Sequence, residues 1–260
     1  MSVKAIILSA GQGKRLLPLT TDIPKCMIPL AGRPLIDWQI SALLECGIDE
    51  ISVVTGFAAD RVEKHLAAAY PGHGVTTRYN PFYPVSDNLA TCWLIREEMD
   101  DDFILLNGDT IFRAPLLEAL LAAEPRDITV TTDRKAAYDA DDMKVALDGE
   151  RLVRIGKDLP PAMVGAESIG MLLFRSRGPA LFRRTVEGAL RQSAGLKRWY
   201  LSAIDELARE HAVWTCCIAG QPWAEVDYPA DLSAAAAVVD GACREDGCAG
   251  GISASGTAPV

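Results

Sequence analysis

Apolar residues in this chain come in short continuous runs that alternate with helical spacings. Ala5–Leu8 is an unbroken apolar run of strand length that ends in glycines and charges. From Pro34 to Cys46 the rhythm changes. Ile36, Ile40, Leu43 and Leu44 share one helical face, Pro34 suits the first helical position, and Gly47 suits the C-terminal cap. Ile51–Thr55 predicts a second strand, Asp60–Tyr70 a second helix and Val75–Tyr79 a third strand. After the loop 80–87 (NPFYPVSD) another helix is expected, with Asp87 or Asn88 at its cap. Phe103–Asn107 is a fourth apolar strand, ending in Gly108-Asp109. Alternation of this kind predicts an α/β fold, with a Rossmann-like, doubly wound and mostly parallel sheet.

The second half adds a different pattern. Met143–Leu147 and Arg151–Ile155 flank Asp148-Gly149, which predicts a hairpin added to the sheet. Ser168–Phe174 and Val213–Ile218 read as strands, and Pro179–Leu190, Trp199–Glu210 and Pro229–Val239 as helices. Pro and Gly are scattered and form no linker, so residues 1–240 are expected to make a single domain. Residues 241–260 are glycine-rich and nearly free of large apolar side chains, which predicts a disordered tail.

Composition narrows the chemistry. The 260 residues are 49% hydrophobic, and the net charge of −9 argues against a general polyanion binder such as a nucleic-acid-coating protein. No apolar run is long enough to span a bilayer, and the N-terminus lacks the pattern of a signal peptide. Seven cysteines without a C-x-x-C pair, beside three histidines, fit free thiols in a reducing compartment better than a zinc site. The expectation is a cytoplasmic protein with neither membrane nor nucleic acid as partner.

The segment Leu8-Ser9-Ala10-Gly11-Gln12-Gly13-Lys14-Arg15 stands where the first strand gives way to a loop. Glycines there let backbone N–H groups approach phosphate oxygens, and cations can neutralise them. The third glycine of a dinucleotide fingerprint is absent, since position 16 is Leu16, and Arg15 stands where a Walker A loop needs Ser or Thr. Lys14 is either a substrate contact or a solvated side chain.

Over a longer stretch the chain resembles the nucleotidyltransferase family of nucleotide-sugar pyrophosphorylase type. The pattern L-x-A-G-x-G-x-R, P-x-T, P-K and G-x-P-x-I is met at Leu8, Ala10, Gly11, Gly13, Arg15, Pro18, Thr20, Pro24, Lys25, Gly32, Pro34 and Ile36. The resemblance implies that the glycine loop wraps a nucleoside triphosphate and that Arg15 and Lys25 are the catalytic cations on its phosphates. Charge chemistry agrees, because two anionic reactants meet only where positive charge is supplied.

Two acidic clusters complete the expected site. Asp109 follows an apolar strand, where α/β sheets bind ligands, and Glu225 and Asp227 precede the last helix. Mg²⁺ is satisfied by a few carboxylates with phosphate oxygens and water, so Asp109 and Asp227 suit it, with Glu225 as a third ligand or a supporting group. The resemblance implies metal binding at the two aspartates. An acceptor already ionised at neutral pH needs no general base.

Compact length, Pro24–Met27 (PKCM), Ser86–Thr91 (SDNLAT) and Glu167–Gly170 (ESIG) look like the phosphocholine cytidylyltransferase branch. That branch implies CTP and a small phosphorylated or phosphonate acceptor. Lys144, Lys157 and Glu167 are candidate acceptor contacts, the lysines having a solvated role as the alternative. Asn88 either touches the nucleotide or caps its helix, and capping is the sequence-level preference. A sugar-1-phosphate nucleotidyltransferase using UTP, dTTP or GTP is the near alternative. A non-catalytic nucleotide-binding regulator is disfavoured by the presence of Arg15, Lys25, Asp109 and Asp227 together. A homodimer is kept open.

Overall fold

The computed structural model describes residues 3–241. Its elements run β1 (Lys4–Leu8), β2 (Pro29–Leu30), β3 (Arg33–Pro34), α1 (Leu35–Glu45), β4 (Glu50–Thr55), α2 (Ala59–Ala69), β5 (Gly74–Tyr79), α3 (Asn88–Leu94), β6 (Phe103–Asn107) and β7 (Thr110–Phe112). They continue α4 (Ala114–Ala122), β8 (Ile128–Asp133), β9 (Lys144–Asp148), β10 (Arg151–Gly156), β11 (Ala166–Phe174), α5 (Gly178–Leu190), α6 (Leu201–Glu210), β12 (Val213–Cys217), β13 (Trp223–Glu225) and α7 (Asp231–Val239). The expected disordered tail falls, apart from Gly241, outside the described residues.

Nine strands form the main sheet in the order β5-β4-β1-β6-β11-β8-β12-β10-β9. The first four pair in parallel, as the βαβ rhythm predicts. Beyond them the sheet is mixed. Strand β11 is antiparallel to both β6 and β8, and the hairpin β9–β10 extends the far side. Strand β9 also pairs back onto β11 at Ala166 and Glu167, so this half curls into a closed ring of five strands.

Alternation along the strands assigns the two faces. Ile6, Leu105, Leu172 and Phe174 pack with α3, α5 and α6. Ala5, Ile7, Ile104, Leu106 and Leu173 face the other way, onto α1, α2 and α4. These runs are hydrophobic throughout because both faces are covered. A smaller cluster of Leu16, Ile28, Ile111, Val226 and Val238 seats the β7–β13 pair against α7.

Several elements escape the hydrophobic pattern. Strand β8 carries Thr129, Thr131 and Thr132 in its buried run, which hides a central strand behind polar letters. Helix α4 (APLLEALLA) is too uniformly apolar to show a helical stripe. Strands β7 and β13 are three residues each, too short for any periodicity. Pro34 precedes α1 as its cap residue rather than occupying its first turn, while Gly47 takes φ +76° after the helix as expected.

Candidate active site

The site is built at the C-terminal ends of β1 and β6. Beyond Leu8 the glycine loop turns over the sheet edge, with Phe57 N donating to Ala10 O at 3.0 Å. Gly13 has φ +76°, and a Cβ there would lie 2.9 Å from the Cβ of Lys25. This glycine therefore clears the path of the Lys25 stem, a tighter demand than phosphate approach alone. Buried Thr20 ties the loop by donating from Oγ1 to Gly13 O at 2.8 Å.

Asp109 and Asp227, 118 positions apart, meet through the small β7–β13 pair. Thr110 pairs with Glu225, and Val226 N donates to Asp109 O at 3.1 Å. Asp231, at the start of α7, accepts from the backbone N–H groups of Asp227 at 2.8 Å and Tyr228 at 2.7 Å, fixing the turn that carries Asp227. Lys25 then spans the two carboxylates, with Nζ 2.7 Å from Asp109 Oδ2 and 2.5 Å from Asp227 Oδ1. Arg15 takes the other oxygen of Asp227 at 2.9 Å. Burial works against the charge on Lys25, but Asp109 and Asp227 outweigh it and hold the ammonium protonated well above the ordinary lysine value.

The turn that presents Asp109 is held from below by a residue the sequence does not reveal. Gln39, fully buried on α1, donates from Nε2 to Asn107 O at 2.7 Å and to Thr110 O at 2.8 Å. Its Oε1 is buried without a partner. On a helix face of isoleucines and leucines, Gln39 reads as an ordinary polar position. Only the tertiary fold places it beneath the aspartate. Gly108 adds a second constraint, since a Cβ there would lie 2.5 Å from Ser9 Oγ and 2.6 Å from Leu8 O.

Two cavities open on either side of Asp109. The smaller, of about 250 Å³, is lined by Leu8, Ala10, Gly11, Asn88 and Asp109 among others. The larger, of about 410 Å³, includes Lys157, Glu167, Glu225, Asp227 and Trp199 in its wall. The first holds most of the residues expected around a nucleotide, without Gly13 and Lys14, and the second most of those expected around an acceptor. Arg15 stands at the rim by Asp227 and Tyr228, its guanidinium 5.5 Å from the Tyr228 ring.

Some expected residues are placed differently. Lys144 is buried and donates from Nζ to Lys157 O at 2.9 Å, so it props the turn after β10 that carries Lys157 and lines neither cavity. Lys14 is exposed and outside both cavities. Asn88 does not cap α3. Its Oδ1 accepts from Tyr200 N at 2.8 Å and so joins α3 to the start of α6. Lys157 lies 4.7 Å from the Trp199 ring and 3.3 Å from Asp141. Asp141 also accepts from Tyr228 at 3.1 Å and, like Lys135, sits on a loop with no sequence signal.

Glu167 lies deep in the larger cavity, 2.9 Å from Lys135, which also meets Asp142 at 2.7 Å. Burial pushes the Glu167 carboxyl up to about 7, against the pull of Lys135. Glu225 is accessible from inside the cavity yet surrounded by protein. Burial, then the neighbouring Asp109 and Asp227, raise its carboxyl above the ordinary range. Among the described residues no three acidic, His or Cys side chains form a preassembled metal cluster. Asp109 and Asp227 are joined by a lysine instead. The Asp109 Oδ1 atom is buried with no hydrogen-bond partner, and such an oxygen suits a divalent cation.

Comparison with known proteins identifies the family. Residues 4–142 match the family model of nucleotidyl transferases. The chain is 30% identical over 238 residues to the CMP-5'-(3-aminopropyl)phosphonate synthase of Streptomyces rubellomurinus, a match covering 88% of this chain and 37% of that protein. It is 32% identical over 139 residues to the CTP:phosphoglutamine cytidylyltransferase of Campylobacter jejuni, covering 51% of this chain and 53% of the relative. The chain thus spans only about a third to a half of these curated relatives. Among solved structures, the CTP:phosphocholine cytidylyltransferase of Streptococcus pneumoniae superposes with a TM-score of 0.76 at 21% identity, over 92% of this chain and 100% of that one. A likeness at that identity speaks for the fold. With the family match running through the glycine loop, Lys25 and Asp109, this chain belongs to the nucleotidyl transferase family.

Proposed function

We propose that the protein transfers CMP from CTP to a small acceptor bearing a phosphate or phosphonate group and a positively charged end, with release of pyrophosphate. The observation that carries the reading is the junction of the two cavities, where Lys25 and Arg15 meet Asp109 and Asp227. The nucleotide occupies the smaller cavity against the glycine loop, and the acceptor the larger one. An ionised acceptor oxygen forms a bond to the α-phosphorus while the bond to the β-phosphate oxygen breaks, and the leaving pyrophosphate takes the electron pair. No proton has to move, so the protein contributes alignment and positive charge. Arg15 offers a planar fork to phosphate oxygens and Lys25 a point charge.

A divalent cation, Mg²⁺ in the simplest case, fits Asp109 and Asp227, whose carboxylates are hard oxygen donors. When bound, it supplies Lewis-acid polarisation of the phosphate and balance of its charge. Glu225 stands beside them, within the larger cavity.

The acceptor's charge is read from the larger cavity. Asp133, Asp139, Asp142, Glu167 and Asp231 join the central carboxylates in its wall, against Lys135 and Lys157. So acidic a wall disfavours a ligand that is only anionic and favours one with an ammonium group. The relatives named for phosphocholine and aminopropylphosphonate chemistry support the same class. The test is a comparison of kcat/KM with CTP for phosphocholine, phosphoethanolamine and 2-aminoethylphosphonate against glucose 1-phosphate. Preference for an ammonium-bearing acceptor by roughly a hundredfold or more is expected. Preference for the sugar phosphate would overturn the acceptor assignment.

A further inference from the structure

Lys25 occupies the space between Asp109 and Asp227 that a cation bridging them would need. Its ammonium lies 2.7 and 2.5 Å from one oxygen of each, and its side chain is only 13% exposed. Arg15 answers the second oxygen of Asp227, while the second oxygen of Asp109 is buried and unpaired. Two aspartates with two cations leave this junction charge-balanced within the protein itself. Mg²⁺ sits about 2.0–2.1 Å from its oxygen ligands. An ammonium and a divalent ion therefore cannot share this seat, and their repulsion is poorly screened where water is excluded.

We propose that Lys25 and the divalent cation are alternative occupants of the seat between Asp109 and Asp227. In the substrate-free protein the lysine holds the seat and suppresses cation binding. Phosphate oxygens arriving at the glycine loop offer Lys25 other partners and free both aspartates. Lysine, cation and triphosphate are thus linked, and each phosphate contact that Lys25 gains favours the cation. Gly13 adds no side chain against the Lys25 stem, where a Cβ would lie 2.9 Å from the Lys25 Cβ. This inference rests on the nucleotidyl-transfer reading for the nature of the anion, and it is independent of which acceptor is used.

The test is Mn²⁺ binding to the substrate-free protein at about pH 8, followed by electron paramagnetic resonance of the free ion. Lys25→Met and Lys25→Gln are expected to bind Mn²⁺ roughly tenfold or more tightly than the wild type, corresponding to about 1.4 kcal/mol of linkage. Adding Asp109→Asn to either variant is expected to abolish the gain. Thermal melts show whether each variant is folded, and the two replacements back each other up. Folded lysine variants that bind Mn²⁺ no better than the wild type would overturn the inference, as would a gain that survives Asp109→Asn. Pyrophosphate release by the wild type, scored separately, tests the transfer reading, so the two can fail independently.

Discussion

At the scale of single residues, the site depends on side chains that hold others in place as much as on the cations and carboxylates at its centre. Asp109→Asn and Asp227→Asn are expected to lower kcat by about a thousandfold or more, with circular dichroism unchanged. Activity within tenfold of the wild type would remove either residue from the mechanism. Gln39 makes a more unusual prediction. Its two donated bonds clamp the Asn107–Thr110 turn at the expense of an unpaired buried Oε1. An unsatisfied buried carbonyl costs about 1–3 kcal/mol, so Gln39→Met, which removes the orphan Oε1 but leaves Asn107 O and Thr110 O without their shared donor, should destabilise the protein by about that amount. It should lower kcat roughly tenfold or more while the KM for nucleotide moves less, and speed hydrogen exchange of the Gly108 and Asp109 amides. Unchanged exchange and kcat would reduce Gln39 to a packing residue.

Among the elements, the small β7–β13 pair brings the two aspartates together and β11 lends Glu167, Ser168 and Gly170 to the larger cavity. Strand β11 changes partners around Gly170, where its register with β8 shifts. Gly170 has φ +74°, and a Cβ there would lie 2.4 Å from Asn107 Nδ2. Gly170→Ala should therefore destabilise the protein by about 1–3 kcal/mol in a denaturant titration, combining backbone strain with displacement of Asn107. A neutral result would show that the bulge relaxes freely. These elements also explain what the sequence shows. The parallel half is legible because Ala5–Leu8 and Phe103–Asn107 are unbroken apolar runs beside clear helical stripes. Arg15, Lys25 and Asp109 are legible because they follow such runs at fixed spacing. Strand β8 is not, because its buried threonines read as polar positions and the closed ring that buries them lies outside any local window. Lys144 misleads for the same reason, as solvated and buried lysines share one letter until Lys157 O is found beside it. Asn88 turns from cap to tether because Tyr200, 112 positions later, presents the free N–H.

For the whole molecule, the curl of the sheet gathers acidic residues into one concave wall, and this carries a pH dependence. Burial raises the Glu167 carboxyl from 4.5 to about 7. In that window the folded protein keeps a proton that the unfolded chain has released. This contribution to stability is therefore fully present below about pH 4.5 and is lost as the pH rises towards 7. Glu167→Gln should flatten that fall in thermal melts taken between pH 5 and 7, leaving Lys135 paired with Asp142. Parallel curves for variant and wild type would assign the slope to other groups.

The junction is proposed to join a cytidylyl group to a phosphorylated or phosphonate acceptor. This is tested most directly by phosphorus NMR of the protein incubated with CTP, Mg²⁺ and 2-aminoethylphosphonate or phosphocholine. The expected result is loss of the triphosphate resonances and appearance of free pyrophosphate together with a coupled pair of signals from the new anhydride link. CTP left intact with every amine-bearing acceptor, while another nucleoside triphosphate reacts with a sugar 1-phosphate, would contradict it.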